Sequence, residues 1–269
     1  MEFSIGRGIK PAASHIIKKH GQWLLPFTIL FILALWEGII RWGKLPAFIL
    51  PPPEMVLKRL GQSIQDGSLL RNTLDTLLEV VLGLFLGSTL ATVLGYVLAK
   101  SRSLERTLSP YLVASQAIPI VAVAPLLVIW FGSGLISKVL ICALIVFFPV
   151  LVNTVMGLKA VPENLNDLMR SLDASPSQTL RYLEIPAALP VFLGGLRIGA
   201  TLSVIGAVVG EFVGADRGLG FLISVARGQY DTAMVFVAIF TLIAMALLLY
   251  GLVVLLERKL LSWQHDNRK

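Results

Sequence analysis

Apolar residues along this chain fall in long runs broken by short polar stretches, not in the one-sided stripes of a helix that covers a soluble core. Six runs, residues 23–40, 74–98, 110–131, 137–158, 191–213 and 233–256, are long enough to cross the hydrocarbon of a bilayer as helices. Between the first two lies Pro51-Pro52-Pro53, which forbids a continuous helix, followed by a segment carrying Lys58 and Arg59. That stretch predicts an extended linker and an amphipathic interfacial helix. In the third run, Pro119 and Pro125 predict a bent span. Residues 218–230 are apolar but short, and predict a re-entrant or interfacial piece. The fold class expected is all-α: a polytopic membrane bundle of about six transmembrane helices.

The same pattern divides the chain. Residues 1–22 form a polar, basic leader. Residues 23–69 hold the first span with its outer linker and interfacial helix, 70–256 a core with a polar loop at 159–190, and 257–269 a tail. The leader and tail, with the loops 99–109 and 159–190, carry fourteen Lys and Arg, against eight in the alternate segments. Cations stay on the cytoplasmic side, so both termini are expected to be cytoplasmic.

Composition agrees with lipid as the outer solvent. The chain is 56% hydrophobic and 14% charged, where soluble domains carry about 25% charged residues. The formal charge of +7 is scattered through short loops, which is a topology signal and argues against a nucleic-acid partner. Cys142 is the sole cysteine, and His15, His20 and His265 lie in polar ends, which offers no metal cluster. No Gly-x-x-x-x-Gly-Lys-Ser/Thr occurs, so no nucleotide site of that kind is expected here.

The loop at 159–190 is the most informative segment. Pro162 and Glu163 open a helix, and Leu165, Leu168, Met169 and Leu172 recur at three and four to give it an apolar face. Ser175, as a cap before Pro176, starts a second helix, which Pro186 is expected to end. Two short amphipathic helices joined by a tight turn would thus present an apolar face to something other than lipid.

This loop resembles the cytoplasmic signature of ABC importer permeases: Glu-Ala-Ala, three residues, Gly, nine residues, Ile-x-Leu-Pro. Asp167-Leu168-Met169, then Asp173 followed by Ala174, then Leu183-x-Ile185-Pro186 match its spacing without a gap. Asp173 stands where the family has Gly, and Leu168 and Met169 replace the two alanines; Asp tolerates a left-handed backbone better than most residues. The likeness extends over roughly residues 70–256. Ala117-Ile118-Pro119, the run from Ala124 to Gly132 and the run from Phe147 to Thr154 are similar to the nitrate, sulfonate and taurine branch. The stretch from Gly206 to Leu222 looks closer to permeases for riboflavin or thiamine pyrimidine precursors.

The resemblance implies a type I importer permease that moves a small organic nutrient, riboflavin or a thiamine pyrimidine precursor ahead of sulfonate, taurine or nitrate. It implies two ATPase subunits holding ATP and Mg, an extracytoplasmic binding protein, a permease homodimer, and no cofactor on this chain. It assigns the helix pair to docking on the ATPase. Ionisable and polar groups within spans are costly, so Gln116, Asn153 and Glu211, with the bend at Pro119, are candidates for the translocation path. Packing is the competing role for each. Glu37, Asp75 and Glu79 are expected near outer ends, within reach of water. Gly194, Gly195, Gly199, Ala200, Gly206 and Gly210 are spaced to let helices approach closely. An ion-coupled secondary transporter is the alternative; it would need midplane acids and a repeat between halves. A membrane enzyme would need a convergent catalytic set, which the sequence does not display.

Overall fold

The computed structural model describes the backbone of residues 13–262 and the side chains of 27, 28 and 30–262. The first twelve leader residues and His265 lie outside it. Every regular element among the described residues is helical. In order they are α1 (Ala13–Gly43), α2 (Pro53–Gln65), α3 (Ser68–Lys100), α4 (Arg102–Gln116), α5 (Ile120–Phe131), α6 (Leu135–Lys159), α7 (Glu163–Ser171) and α8 (Pro176–Thr179). A π-helical turn, Leu180–Glu184, then leads into α9 (Ile185–Gly214), followed by α10 (Leu219–Gly228) and α11 (Thr232–Leu260).

Helices α3, α6, the continuous run Pro176–Gly214 and α11 are each long and apolar enough to span a membrane. The first expected span falls on α1, partly on residues whose side chains are not described. The third differs from expectation. It is a pair of short helices, α4 and α5, that meet at 92°, a sharper break than the expected bend. Pro119 makes the break: it caps α5 in an extended conformation and has no N–H to carry a helix through. Pro125, expected to bend the same span, lies inside α5 without interrupting it.

Helix α6 is the centre of the bundle, between α3 and α9, and small residues set its spacing. A Cβ at Gly87 of α3 would lie 2.5 Å from the Ala143 carbonyl oxygen, and one at Gly206 of α9 would lie 2.8 Å from the Cys142 Cα. Lipid supplies no hydrophobic drive between helices, so such backbone approach is what holds them. Gly195, Gly199 and Gly210 also meet α6, as their spacing predicts, whereas Gly194 faces open space.

The second layer is α11 with α10, α2 and the end of α1. Met234, Val237, Ala238, Met245 and Leu249 of α11 are buried in a cluster with Val204 and Ala207 of α9. Trp36 of α1 stacks on Phe236 at 5.2 Å between ring centroids. The segment after Pro51 forms the expected helix, with Pro52 as N-cap and Pro53 in the first turn. Arg59 of α2 bonds Asp231, 2.7 Å away, at the head of α11. The short 218–230 segment is α10, one helix of ten residues.

Candidate coupling loop and translocation path

One end of the bundle carries the α7–α8 arm. Helix α7 starts after Pro162, and its apolar stripe faces outward: Leu165, Leu168 and Leu172 are 38%, 53% and 67% exposed. Asp167 is exposed on the same helix, 3.4 Å from Arg170. The helix stops in two crossed bonds, the Asp173 N–H to the Arg170 carbonyl and the Ala174 N–H to the Met169 carbonyl, each 3.0 Å. This is the Schellman arrangement, which requires a left-handed residue after the cap, and Asp173 supplies it with φ +49°. Ser175 and Gln178 then form a reciprocal capping box, so the second helix begins as the sequence predicts.

Pro186 does not end that helix. The chain is helical from Pro176 to Gly214 and passes Pro186 by widening into the π turn, where the Ile185 N–H reaches back five residues to the Leu180 carbonyl. A wider turn gives the proline ring room and absorbs the donor it lacks. The second helix of the arm is thereby continuous with a membrane-spanning helix. Leu183 is half-buried in this turn and Ile185 is 48% exposed. Glu184 is buried and paired with Lys100 at the end of α3. Lys159 at the end of α6 pairs with Glu105 of α4, and Arg197 of α9 with Glu257 of α11.

The path candidates do not come together. Gln116 and Pro119 line one cavity of about 530 Å³ at the α4–α5 break, with Ile120, Val123, Ile145 and Phe148. Asn153 is not among its lining residues. Its amide donates to the Pro149 carbonyl at 2.8 Å, and its side chain sits where α6 crosses Gly195 of α9. Glu211 is 2% exposed and serves as a junction. Its carboxylate accepts from the Thr76 hydroxyl of α3 at 2.6 Å and from the Gly220 N–H at the start of α10. Thr76 in turn accepts from the Leu219 N–H at 2.8 Å, and the Gly218 N–H donates to Asn72 at 2.8 Å. An acid at a helix start satisfies donors that the helix itself leaves unpaired.

Glu79, expected within reach of water, is also buried, at 2% exposure. Lys138, counted from sequence among the outer-segment cations, lies in the first turn of α6 at 5% exposure, 2.9 Å from Glu79. An ammonium and a carboxylate can stay in so dry a place only together. Sequence reasoning missed this pair and the Lys100–Glu184 pair. The available signal was opposite charges just inside the ends of apolar runs, which need partners once buried.

Residues 80–262 match the family described as binding-protein-dependent transport system inner membrane component. A riboflavin transport system permease protein of Chloroflexus aurantiacus is 49% identical over 240 residues, spanning 89% of this chain and 90% of that one. A formylaminopyrimidine transport permease protein of Halalkalibacterium halodurans is 35% identical over 92% of this chain and 99% of its own. A taurine transport system permease protein of Escherichia coli is 32% identical, with 89% of each chain covered. In fold, the chain is similar to a subunit of the inward-facing MetNI methionine ABC transporter, with a TM-score of 0.66 and 21% identity over 73% of this chain and 97% of the other. The chain therefore belongs to the binding-protein-dependent transport system inner membrane components, and is a membrane-embedded permease of an ABC importer with the type I fold.

Proposed function

We propose that this permease imports riboflavin, with a thiamine pyrimidine precursor as the next substrate, and works as a homodimer driven by two separate ATPase subunits that hold ATP and Mg. The observation that carries the substrate is the 49% identity, along nearly the whole chain, to a riboflavin permease. The outward apolar face of Leu165, Leu168 and Leu172 on a rigidly capped arm supports docking of the ATPase at α7. Both termini then share the side of the ATPase, in the inner membrane of a bacterium. The cavity at Gln116 and Pro119 is the portion of the path open in this conformation. An extracytoplasmic binding protein delivers the nutrient to the opposite end.

The test is uptake into proteoliposomes holding the permease with its ATPase and binding protein. Labelled riboflavin, formylaminopyrimidine and taurine are each supplied with internal ATP. Riboflavin should accumulate, and accumulation should stop without ATP and persist with an ionophore. Accumulation of taurine alone would overturn the vitamin assignment, and ionophore-sensitive uptake without ATP would overturn the energy source.

A further inference from the structure

Two adjoining cavities occupy the elbow between the α7–α8 arm and the spans. One, of about 450 Å³, is almost wholly apolar and runs between α3, α6 and α9 past Val93, Tyr96, Val97, Leu158 and Phe192. The other, of about 410 Å³, is polar and is lined by Lys100, Asn166, Arg170, Thr179 and Glu184. They share Tyr96, and neighbouring residues of one turn divide between them: Leu180 and Ile185 face the first, Thr179 and Glu184 the second. Together they form one amphipathic slot, apolar toward the spans and charged toward the arm.

The chemistry of the charged end is specific. Lys100 of α3 and Arg170 of α7 are two cations lining this end, with 49% and 82% of their side chains exposed. Lys100 donates to Glu184 Oε1 and lies over the Tyr96 ring at 5.6 Å; Arg170 has Asp167 at 3.4 Å. The second carboxylate oxygen of Glu184 has no donor among the described residues, and the side chain is only 6% exposed. A buried anionic acceptor lacking a donor is rare in folded proteins. The slot thus offers cations for a phosphate, an acceptor for an ammonium, and an apolar groove for a chain.

We infer that the elbow binds an amine-headed glycerophospholipid, with one acyl chain in the apolar groove, its phosphate between Lys100 and Arg170, and its ammonium on Glu184. The groove opens past Val93 and Val97, which are 62% and 43% exposed on the outer face of α3, so the ligand enters sideways from the bilayer. Its headgroup then wedges the arm against the end of α3. This inference rests on membership of a membrane family and not on which nutrient is carried.

The experiment is native mass spectrometry of the full chain extracted from nanodiscs of equal parts phosphatidylethanolamine, phosphatidylcholine and phosphatidylglycerol. A charge-assisted hydrogen bond to Glu184 should favour retained phosphatidylethanolamine over phosphatidylcholine by about tenfold. Phosphatidylglycerol, which offers the phosphate but no ammonium, should also be retained less. Val93→Trp, which fills the groove from its exposed rim, and Arg170→Gln, which removes one phosphate contact from an exposed site, should each lower that retention. Equal retention of the three lipids, or preference for phosphatidylglycerol, overturns the headgroup assignment. Undiminished phosphatidylethanolamine in both variants, each with an unchanged unfolding temperature, overturns the site.

Discussion

At position 173 a single side chain decides how the arm turns. The Schellman bonds of α7 need a left-handed residue, and Asp173 adopts that conformation at a steric cost glycine would not incur. Asp173→Gly should therefore raise stability by up to about 1 kcal/mol and leave ATP-driven uptake intact. Asp173→Val should cost about 1–2 kcal/mol and reduce uptake, because a β-branched residue resists this backbone and the arm would reorient. Thermal unfolding in detergent, paired with uptake into vesicles, reads both effects; a valine variant as active and as stable as the parent would remove the turn from the coupling argument. The sequence showed that Asp occupies the turn and tolerates the conformation, but the two crossed hydrogen bonds needed coordinates. Glu211 shows the opposite case. An acid inside an apolar run reads as a path residue, yet its partner is the buried Gly220 N–H at the start of α10, nine residues further on.

Between elements, small residues and buried charges divide the work of holding helices together. Gly87 and Gly206 let α3 and α9 approach the α6 backbone, and the Glu79–Lys138 bond fixes α3 against α6. Removing one partner of a buried pair leaves the other charged in a dry site. Lys138→Met alone should cost about 3–5 kcal/mol. The double variant Lys138→Met with Glu79→Gln should recover part of that loss, since one of the two buried carboxylates beside Lys138 is neutralised and Glu211 keeps its donors from Thr76 and Gly220. Denaturation of the parent, both single variants and the double variant measures the coupling, and strictly additive losses would mean that the pair is not an energetic unit. The glycines announced their role through spacing alone. The pair did not, because nothing in a one-dimensional pattern says that residues 79 and 138 face each other.

Over the whole molecule, apolar side chains cover the outer surface of the bundle as well as filling its core. Phe85 of α3 and Leu247, Leu248 and Leu252 of α11 are 71%, 65%, 69% and 56% exposed, while Val80, Ile141, Val146 and Val237 fill the core beside the small residues and the buried Glu79, Lys138 and Glu211. Lipid must cover that outer surface. Leu248→Arg, near the middle of α11, should cost about 2.5–3.5 kcal/mol of insertion free energy and lower the membrane-integrated fraction. Carbonate extraction reads that fraction; unchanged integration would argue that this face meets protein.

The amino-acid pattern by itself determined that the chain is helical and membrane-bound, which stretches form its long apolar helices, and that the 159–190 loop starts two short helices. Run length, proline and capping residues act within one turn or one helix, so they are legible without coordinates. The tertiary structure alone decided that Pro119 breaks the third expected span into two short helices, that Pro186 is carried through a π turn, and which of the buried acids and cations meet. Those outcomes depend on how each helix is rotated against its neighbours, and that rotation is fixed by close packing among residues scattered far along the chain.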